Sequence, residues 1–277
     1  MKFKKMHGLG NDFIMVNGAA ETLPKDINAF AMEICDRHLG VGADGLIVVS
    51  PGEGKFDLKM SIYNADGSEA EMCGNGIRCA HIFARAEGLS DKTKINFSTL
   101  GGPVVTEMVD ADKNLVRVNM GRPRLAPEEI PAQFNGSRVV KAPLKVNGKN
   151  YDITLVNMGN PHCVIFVDSV EDFPVAKIGP QIENHPLFPA KINVEFVQFI
   201  NADRIKMRVW ERGCGETLAC GTGACAAAVA SVLKGFCHNA VEVELPHGSL
   251  FITWHLDDYV ELVGPAATVF AGEYLNQ

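Results

Sequence analysis

Apolar and polar residues alternate along much of the chain, which predicts many short strands with one face turned inward. Leu58-Lys-Met-Ser-Ile-Tyr-Asn64 and Ile205-Lys-Met-Arg-Val-Trp-Glu211 follow this pattern. So do Val104–Val109, Leu115–Met120, Ala142–Val146, Tyr151–Val156, Val241–Leu245, Leu250–His255 and Tyr259–Val263. Turn-forming runs at Asp110–Asn114, Asn147-Gly148 and Asp257-Asp258 separate several of them and predict antiparallel hairpins. Two segments break the alternation. Ile77–Glu87, closed by Gly88, and Ala224–Lys234, closed by Gly235, read as helices, because glycine just past the last turn is a common helix stop. The second, Ala-Cys-Ala-Ala-Ala-Val-Ala-Ser-Val-Leu, is small and apolar on nearly every side, so it is expected to be buried all round, with strands about it.

The two helices belong to a repeat. A shift of 147 residues lays Leu58–Asn64 over Ile205–Glu211, Glu69 over Glu216, Cys73-Gly-Asn-Gly76 over Cys220-Gly-Thr-Gly223, and Gly88 over Gly235. A shift two residues longer brings Gly10-Asn11 over Gly159-Asn160, each followed by an apolar run, Phe13–Val16 and Cys163–Val167. A duplicated chain is the expectation: an α+β protein of two pseudo-symmetric lobes, each a mixed, mostly antiparallel sheet. The Pro/Arg-rich stretch Gly121–Pro127 is the candidate crossing, giving lobes at 1–120 and 121–265.

Composition narrows the functional classes. With 47% apolar and 21% charged residues in 277, the chain can bury a sizeable core. A formal net charge of −7 argues against a nucleic-acid partner, which calls for a basic face. The amino-terminal residues run into polar and glycine positions where an export signal needs an apolar stretch, and the apolar run Ala224–Leu233 is shorter than the roughly 20 residues that span a bilayer. Neither secretion nor a membrane partner is expected. Eight cysteines in such a chain read as reduced thiols of a cytoplasmic protein.

Cys73 and Cys220 stand out because the repeat places each just before a Gly-x-Gly and a helix. The N–H groups of a first helical turn lower a thiol's pKa, and the bare backbone of Gly74-Asn75-Gly76 and Gly221-Thr222-Gly223 is suited to holding a carboxylate. Inverting an α-carbon takes a base on one face and an acid on the other, and two thiols, one ionised, meet that need. N–H groups on the substrate carboxylate would stabilise the transient carbanion, so neither cofactor nor metal is expected. Zinc fits poorly, since the intervals within Cys73/Cys79 and Cys214/Cys220/Cys225 are five, five and four residues with a helix running through them, whereas knuckles place their cysteines about two to four apart. Neither Gly-x-Gly continues into a P-loop or a dinucleotide fingerprint. Cys35, Cys79, Cys163, Cys225 and Cys237 read as small buried hydrophobes.

The segments Asn64-Ala-Asp-Gly-Ser-Glu-Ala-Glu-Met-Cys73-Gly-Asn-Gly-Ile-Arg78 and Glu211-Arg-Gly-Cys-Gly-Glu-Thr-Leu-Ala-Cys220-Gly-Thr-Gly closely resemble those of the diaminopimelate epimerase family. His7-Gly-Leu-Gly-Asn11-Asp-Phe, Gly40-Val-Gly-Ala-Asp44 and Asn157-Met-Gly-Asn160-Pro-His162 extend the resemblance over nearly the whole chain. It implies lobes whose sheets curl around a central helix, substrate in the cleft between them, a last strand (266–277) returning to the first lobe, and a homodimer. It also implies interconversion of LL- and meso-diaminopimelate, with the cysteine matching Cys73 as base towards LL and that matching Cys220 towards meso. Asn64, Asn160, Asn193, Glu211 and Arg212 then serve the distal amino-acid head, and Asn11 and His162 lie near the reacting centre. Some relatives place a substrate-contacting glutamine where this chain has Gly45.

Two rivals share the features but not the motifs. A proline racemase-like enzyme typically carries Cys-Gly-His in the first loop and Asp-x-x-x-Cys in the second, against Cys73-Gly-Asn75 and Glu216-x-x-x-Cys220 here. A non-catalytic amino-acid-binding module would have no need of both thiols.

Overall fold

The computed structural model describes residues 1–256 and 258–275; Asp257 of the expected turn and residues 276 and 277 of the expected last strand lie outside the described residues. Two compact units divide the chain: Met1–Asn119 together with the stretch from Val263 onward, and Met120–Leu262. Unit 1 holds β1 (Lys2–Gly8), β2 (Asn11–Asn17), α1 (Ile27–Cys35), β3 (Gly45–Pro51), β4 (Leu58–Asn64) and β5 (Glu69–Ala70). The helix α2 (Gly74–Ala86) and the meander β6 (Lys94–Thr99), β7 (Gly102–Asp110) and β8 (Leu115–Asn119) follow. Unit 2 contains β9 (Ala142–Val146), β10 (Lys149–Asn157), β11 (Pro161–Phe166), α3 (Val175–Glu183), β12 (Asn193–Asn201), β13 (Arg204–Glu211) and β14 (Gly215–Thr217). It continues with α4 (Gly221–Leu233), β15 (Ala240–Leu245) and β16 (Gly248–Trp254). β17 (Val260–Pro265) runs across the return to unit 1, where β18 (Ala267–Glu273) pairs antiparallel with β1.

The pairings repeat from unit to unit. β1–β2 and β10–β11 are antiparallel, and a helix then leads to the parallel pairs β2–β3 and β11–β12. β3–β4 and β12–β13 are antiparallel, short strands β5 and β14 add to β4 and β13, and β4–β6 and β13–β15 are parallel. The 147-residue shift carries both ends of α2 onto those of α4. Each of these helices packs against six strands of its own unit.

Composition explains the depth of that burial. Every residue of α4 is buried from Gly223 to Ser231, because a surface of alanine, cysteine and valine lets strands close on all sides. α2 is buried from Gly74 to Ala84 and carries polar side chains inward, Arg78 and His81 among them. Hydrophobic side chains of α1 and α3 complete the cores: Phe30, Ala31 and Ile34 in unit 1, Val175, Ile178 and Ile182 in unit 2. Periodicity does not single out either helix. α1 is short and starts on an Asp26 cap that accepts from Ala29 N–H at 3.0 Å. α3 contains Gly179-Pro180, ordinarily a break signal; the glycine is needed because a Cβ there would lie 2.5 Å from Trp210 Cγ. The expected crossing Gly121–Pro127 is tied down within unit 2, Arg124 and Asn157 exchanging backbone hydrogen bonds of 2.9 Å. Among the described residues no helix is long and apolar enough to cross a membrane.

His81 is fully buried on α2, its Nδ1 2.7 Å from Thr106 Oγ1. Burial, with the nearby charge of Arg85 adding, pushes the imidazole down to about 4 from an ordinary 6.5. Between those pH values the unfolded chain binds a proton that the folded chain refuses. Stability therefore falls as pH drops through this window, approaching a loss of roughly 3 kcal/mol below it. Urea midpoints followed by circular dichroism are expected to fall from pH 7 to 4.5, and to fall less in His81→Gln; an identical slope in the variant would refute this.

Candidate active site

In unit 1, Cys73 is the N-cap of α2, and its sulfur accepts the Gly76 N–H at 3.4 Å. Its thiol faces Asn11 Oδ1 at 3.7 Å, and the same oxygen accepts from Asn75 Nδ2 at 3.1 Å. Asn11 is held in turn by Asp44, which takes its Nδ2 hydrogen at 2.8 Å. Behind this row lies a charge cluster. Arg37 donates to Asp12 and Asp44, each at 2.8 Å, and the buried Lys5 pairs with Asp12 at 2.6 Å. Burial raises the Asp12 carboxyl, but the hydrogen bonds from Arg37 and Lys5 outweigh it and hold the group at about 2. Arg78, fully buried, donates to Gly74 O at 2.8 Å and Asn75 Oδ1 at 3.0 Å, fixing the Gly-x-Gly from behind. Gly8 leaves room for it, since a Cβ there would lie 2.9 Å from Arg78 Nη2.

Cys73, Gly74, Asn75 and Asn11 are thus brought together. Asn64 stands apart on the exposed end of β4, paired in register with Gly45 and donating to Ser68 Oγ at 2.9 Å. Gly45 itself is closed to a side chain on this backbone, because a Cβ would lie 2.8 Å from Tyr63 O.

In unit 2, Cys220 caps α4 in the same way, accepting the Gly223 N–H at 3.3 Å, and lies 3.4 Å from Thr222 Oγ1. Glu211, at the end of β13, takes a hydrogen bond from Thr217 Oγ1 and lies close enough to the Cys220 thiol for the two groups to shift one another. Arg212 follows it with an exposed side chain. Its backbone N–H is held by Asn193 Oδ1 at 2.9 Å and its Nη1 by Ala190 O at 3.1 Å. Asn193 also donates to Pro161 O at 2.8 Å, so both ends of its amide are engaged. His162, fully buried, sits between Asn160 (Nε2 to Oδ1, 2.9 Å) and Glu195 (Nδ1 to Oε1, 2.7 Å). Cys220 and Thr222 thus meet at the α4 start, His162 joins Asn160 to Glu195, and Asn193 holds the Arg212 backbone.

The electrostatics of Cys220 differ from the expected lowering. Burial pushes its thiol well above the ordinary value, and the charges of Glu211 and Glu195 push further; the Thr222 and Gly223 bonds pull down and lose. A helix start lowers a thiol's pKa only where desolvation does not overwhelm it. Glu211 is likewise raised by burial, against the pull of Thr217 and Cys220. Among the described residues no three His, Cys, Asp or Glu side chains are grouped as metal ligands.

Sequence reasoning missed Lys5, Asp12, Arg37, Arg78, Glu195 and Thr217 as members of these groups, and used Asp44 only as a turn residue. For Glu195 a signal was present: a carboxylate two residues after Asn193 in an otherwise apolar strand. Arg37 and Lys5 gave none, because only the fold brings β1, β2 and the segment after α1 together.

A diaminopimelate epimerase family model matches residues 3–126 and 154–269. A diaminopimelate epimerase of Moorella thermoacetica is 49% identical over 277 residues, covering 99% of both chains. One from Desulforudis audaxviator is 50% identical over 278 residues and covers 100% of both. Among solved structures, a Bacillus anthracis phenazine biosynthesis protein of the PhzF family aligns with TM-score 0.71 at 15% identity, covering 100% of this chain and 99% of the other. A hydroxyproline epimerase from Agrobacterium vitis, with bound trans-4-hydroxy-L-proline, aligns with TM-score 0.70 at 13% identity, covering 98% of this chain and 91% of the other. At those identities the structures show the fold, a mixed α/β architecture of few helices and extensive mixed sheet.

Because carboxylates help to keep Cys220 protonated, Glu211→Gln is expected to lower the pH midpoint for alkylation of Cys220 by iodoacetamide, followed by peptide mass spectrometry. A midpoint that stays or rises would remove the Glu211 charge as a cause.

Proposed function

The chain belongs to the diaminopimelate epimerase family, and we propose that it interconverts LL- and meso-2,6-diaminopimelate by proton transfer between two cysteines and one α-carbon. The observation that carries this reading is the duplicated cap. Each unit starts a 13-residue buried helix on a cysteine whose sulfur takes a glycine N–H two residues into that helix.

The chemistry requires the two sulfurs to reach one carbon from opposite faces. One thiolate takes the α-hydrogen, breaking C–H and forming S–H; the other thiol gives its proton to the opposite face, and the two sulfurs exchange protonation states. N–H groups of Gly74-Asn75-Gly76 and Gly221-Thr222-Gly223 hold the carboxylate that gains charge in the carbanion, with no cofactor called for. The upward push on Cys220 supports its being the protonated thiol at rest, the acid of the two-base exchange. Asn11 orients Cys73 and Asn75 together.

For the distal head, the exposed Arg212 offers a guanidinium to the carboxylate, with Asn64 and Asn160 as amide partners. Asn193 serves by holding the Arg212 backbone. Glu211 acts through both its proximity to Cys220 and its charge towards the substrate ammonium. The proline racemase-like alternative is not favoured, since relatives at about half identity over the full length bear the epimerase name. Eight cysteines support a reducing, cytoplasmic setting. A homodimer is supported by the exposed apolar side chains of Val269 and Phe270 on β18.

In deuterated buffer the fully reduced enzyme is expected to convert LL-diaminopimelate to meso with deuterium at one α-carbon and no added cofactor. Cys73→Ala and Cys220→Ala should each lose epimerisation by about 10²–10⁴-fold. Conversion without deuterium, or full turnover in either variant, would overturn the two-thiol reading. Sedimentation should show a dimer that Phe270→Asp converts to monomer; a wild-type monomer would exclude the dimer.

A further inference from the structure

Glu195 lies in the middle of an apolar strand segment, Asn193-Val-Glu-Phe-Val197, and its side chain is fully buried. Burying a carboxylate is costly unless the charge is met, and here the met oxygen is Oε1, 2.7 Å from Nδ1 of an equally buried His162. Oε2 has no hydrogen-bond partner among the described residues. The carboxylate lies directly behind the first turn of α4: a Cβ built on Gly223 would come within 2.8 Å of Oε1. Gly223, whose N–H reaches the Cys220 sulfur, is required for the space it leaves to Glu195. The titratable groups that feel Glu195 are His162 and Cys163 on β11, Glu211 on β13 and Cys220 on α4.

We propose that Glu195 is a positioning residue for the epimerase half-site of unit 2: its carboxylate accepts from Nδ1–H of His162 and so fixes the ring with Nε2 towards Asn160, where Nε2 donates to Oδ1 in the imidazolium or accepts from the turned amide's Nδ2 in the neutral ring. An ionised carboxylate admits one arrangement of the ring, whereas an amide in its place could donate to a bare Nδ1 as readily as accept from Nδ1–H. The same group places a fixed negative charge behind Cys220, so it serves the reaction twice, through His162 and through the thiol. The strand alternation makes this possible, since Asn193 and Glu195 share one face of β12 and reach Arg212 and His162 respectively. This inference rests on the epimerase reading for its effect on turnover, but the clamp on His162 is independent of it.

The test uses full-length protein labelled with ¹⁵N-histidine, the His162 ring signals being assigned by their loss in His162→Gln. In the wild type, Nδ1 of His162 is expected to carry hydrogen across neutral pH. In Glu195→Gln, which preserves shape, that preference should be lost, kcat should fall by about 10–100-fold, as for other carboxylates that orient a functional histidine, and KM should change little. The pH profile should also shift, because Cys220 loses a charge behind it. A wild-type His162 with a bare Nδ1 would overturn the proposal even if the variant failed to fold. So would a folded Glu195→Gln protein with wild-type kcat and pH profile. A wild type that holds Nδ1–H but does not epimerise would sink the proposed function and leave the clamp standing.

Discussion

A helix begins with N–H groups that have no carbonyl to bond, and in both units this requirement is met at a cysteine sulfur. Sulfur is a weaker acceptor than the oxygen of serine, threonine or aspartate, the usual caps, so the arrangement gives up some helix stability for chemistry. It is tolerated because helix formation here does not depend on the cap. α2 and α4 are enclosed by strands of their own units, and burial of their side chains holds them in place. The glycines whose N–H groups reach the sulfurs, Gly76 and Gly223, follow from close packing, since a Cβ would lie 2.7 Å from Ile47 Cδ1 at the first and 2.8 Å from Glu195 Oε1 at the second.

From that shared device the halves have diverged in how charge surrounds the sulfur. In unit 1 the acidic residues near Asn11 are neutralised by Arg37 and Lys5, and a buried guanidinium, Arg78, braces Asn75. In unit 2 two carboxylates, Glu211 and Glu195, approach a fully desolvated thiol. A duplicated fold therefore supplies two cysteines of like capping geometry set among different neighbours. A two-base reaction benefits from that difference, because at any moment one sulfur must be acid while the other is base.

Much was legible in the chain itself. The alternation of Leu58–Asn64 and Ile205–Glu211, the small apolar helix from Ala224 and the stop at Gly235 depend on local periodicity and turn chemistry, which reside in consecutive residues. The strand β4 and the start of β9 fall where the pattern puts them. The repeat was also readable, since Cys73 and Cys220 keep their spacing from strand and glycine alike. α1 and α3 were not: one is short, and the other carries Pro180 in a position only its packing on β12 and β13 makes acceptable.

The sequence by itself determined that two cysteines cap two related helices, because capping and helix formation are local. The tertiary structure decided which charges those cysteines meet. Asp12, Arg37 and Asp44 gather through the pairing of β2 with β3, and Glu195 meets His162 through the parallel register of β11 with β12. The shift of a thiol depends on desolvation and on nearby charges, here contributed by Glu211 and Glu195, 9 and 25 positions distant in the chain. Local pattern predicted a lowered thiol at Cys220, and burial beside two carboxylates reversed it.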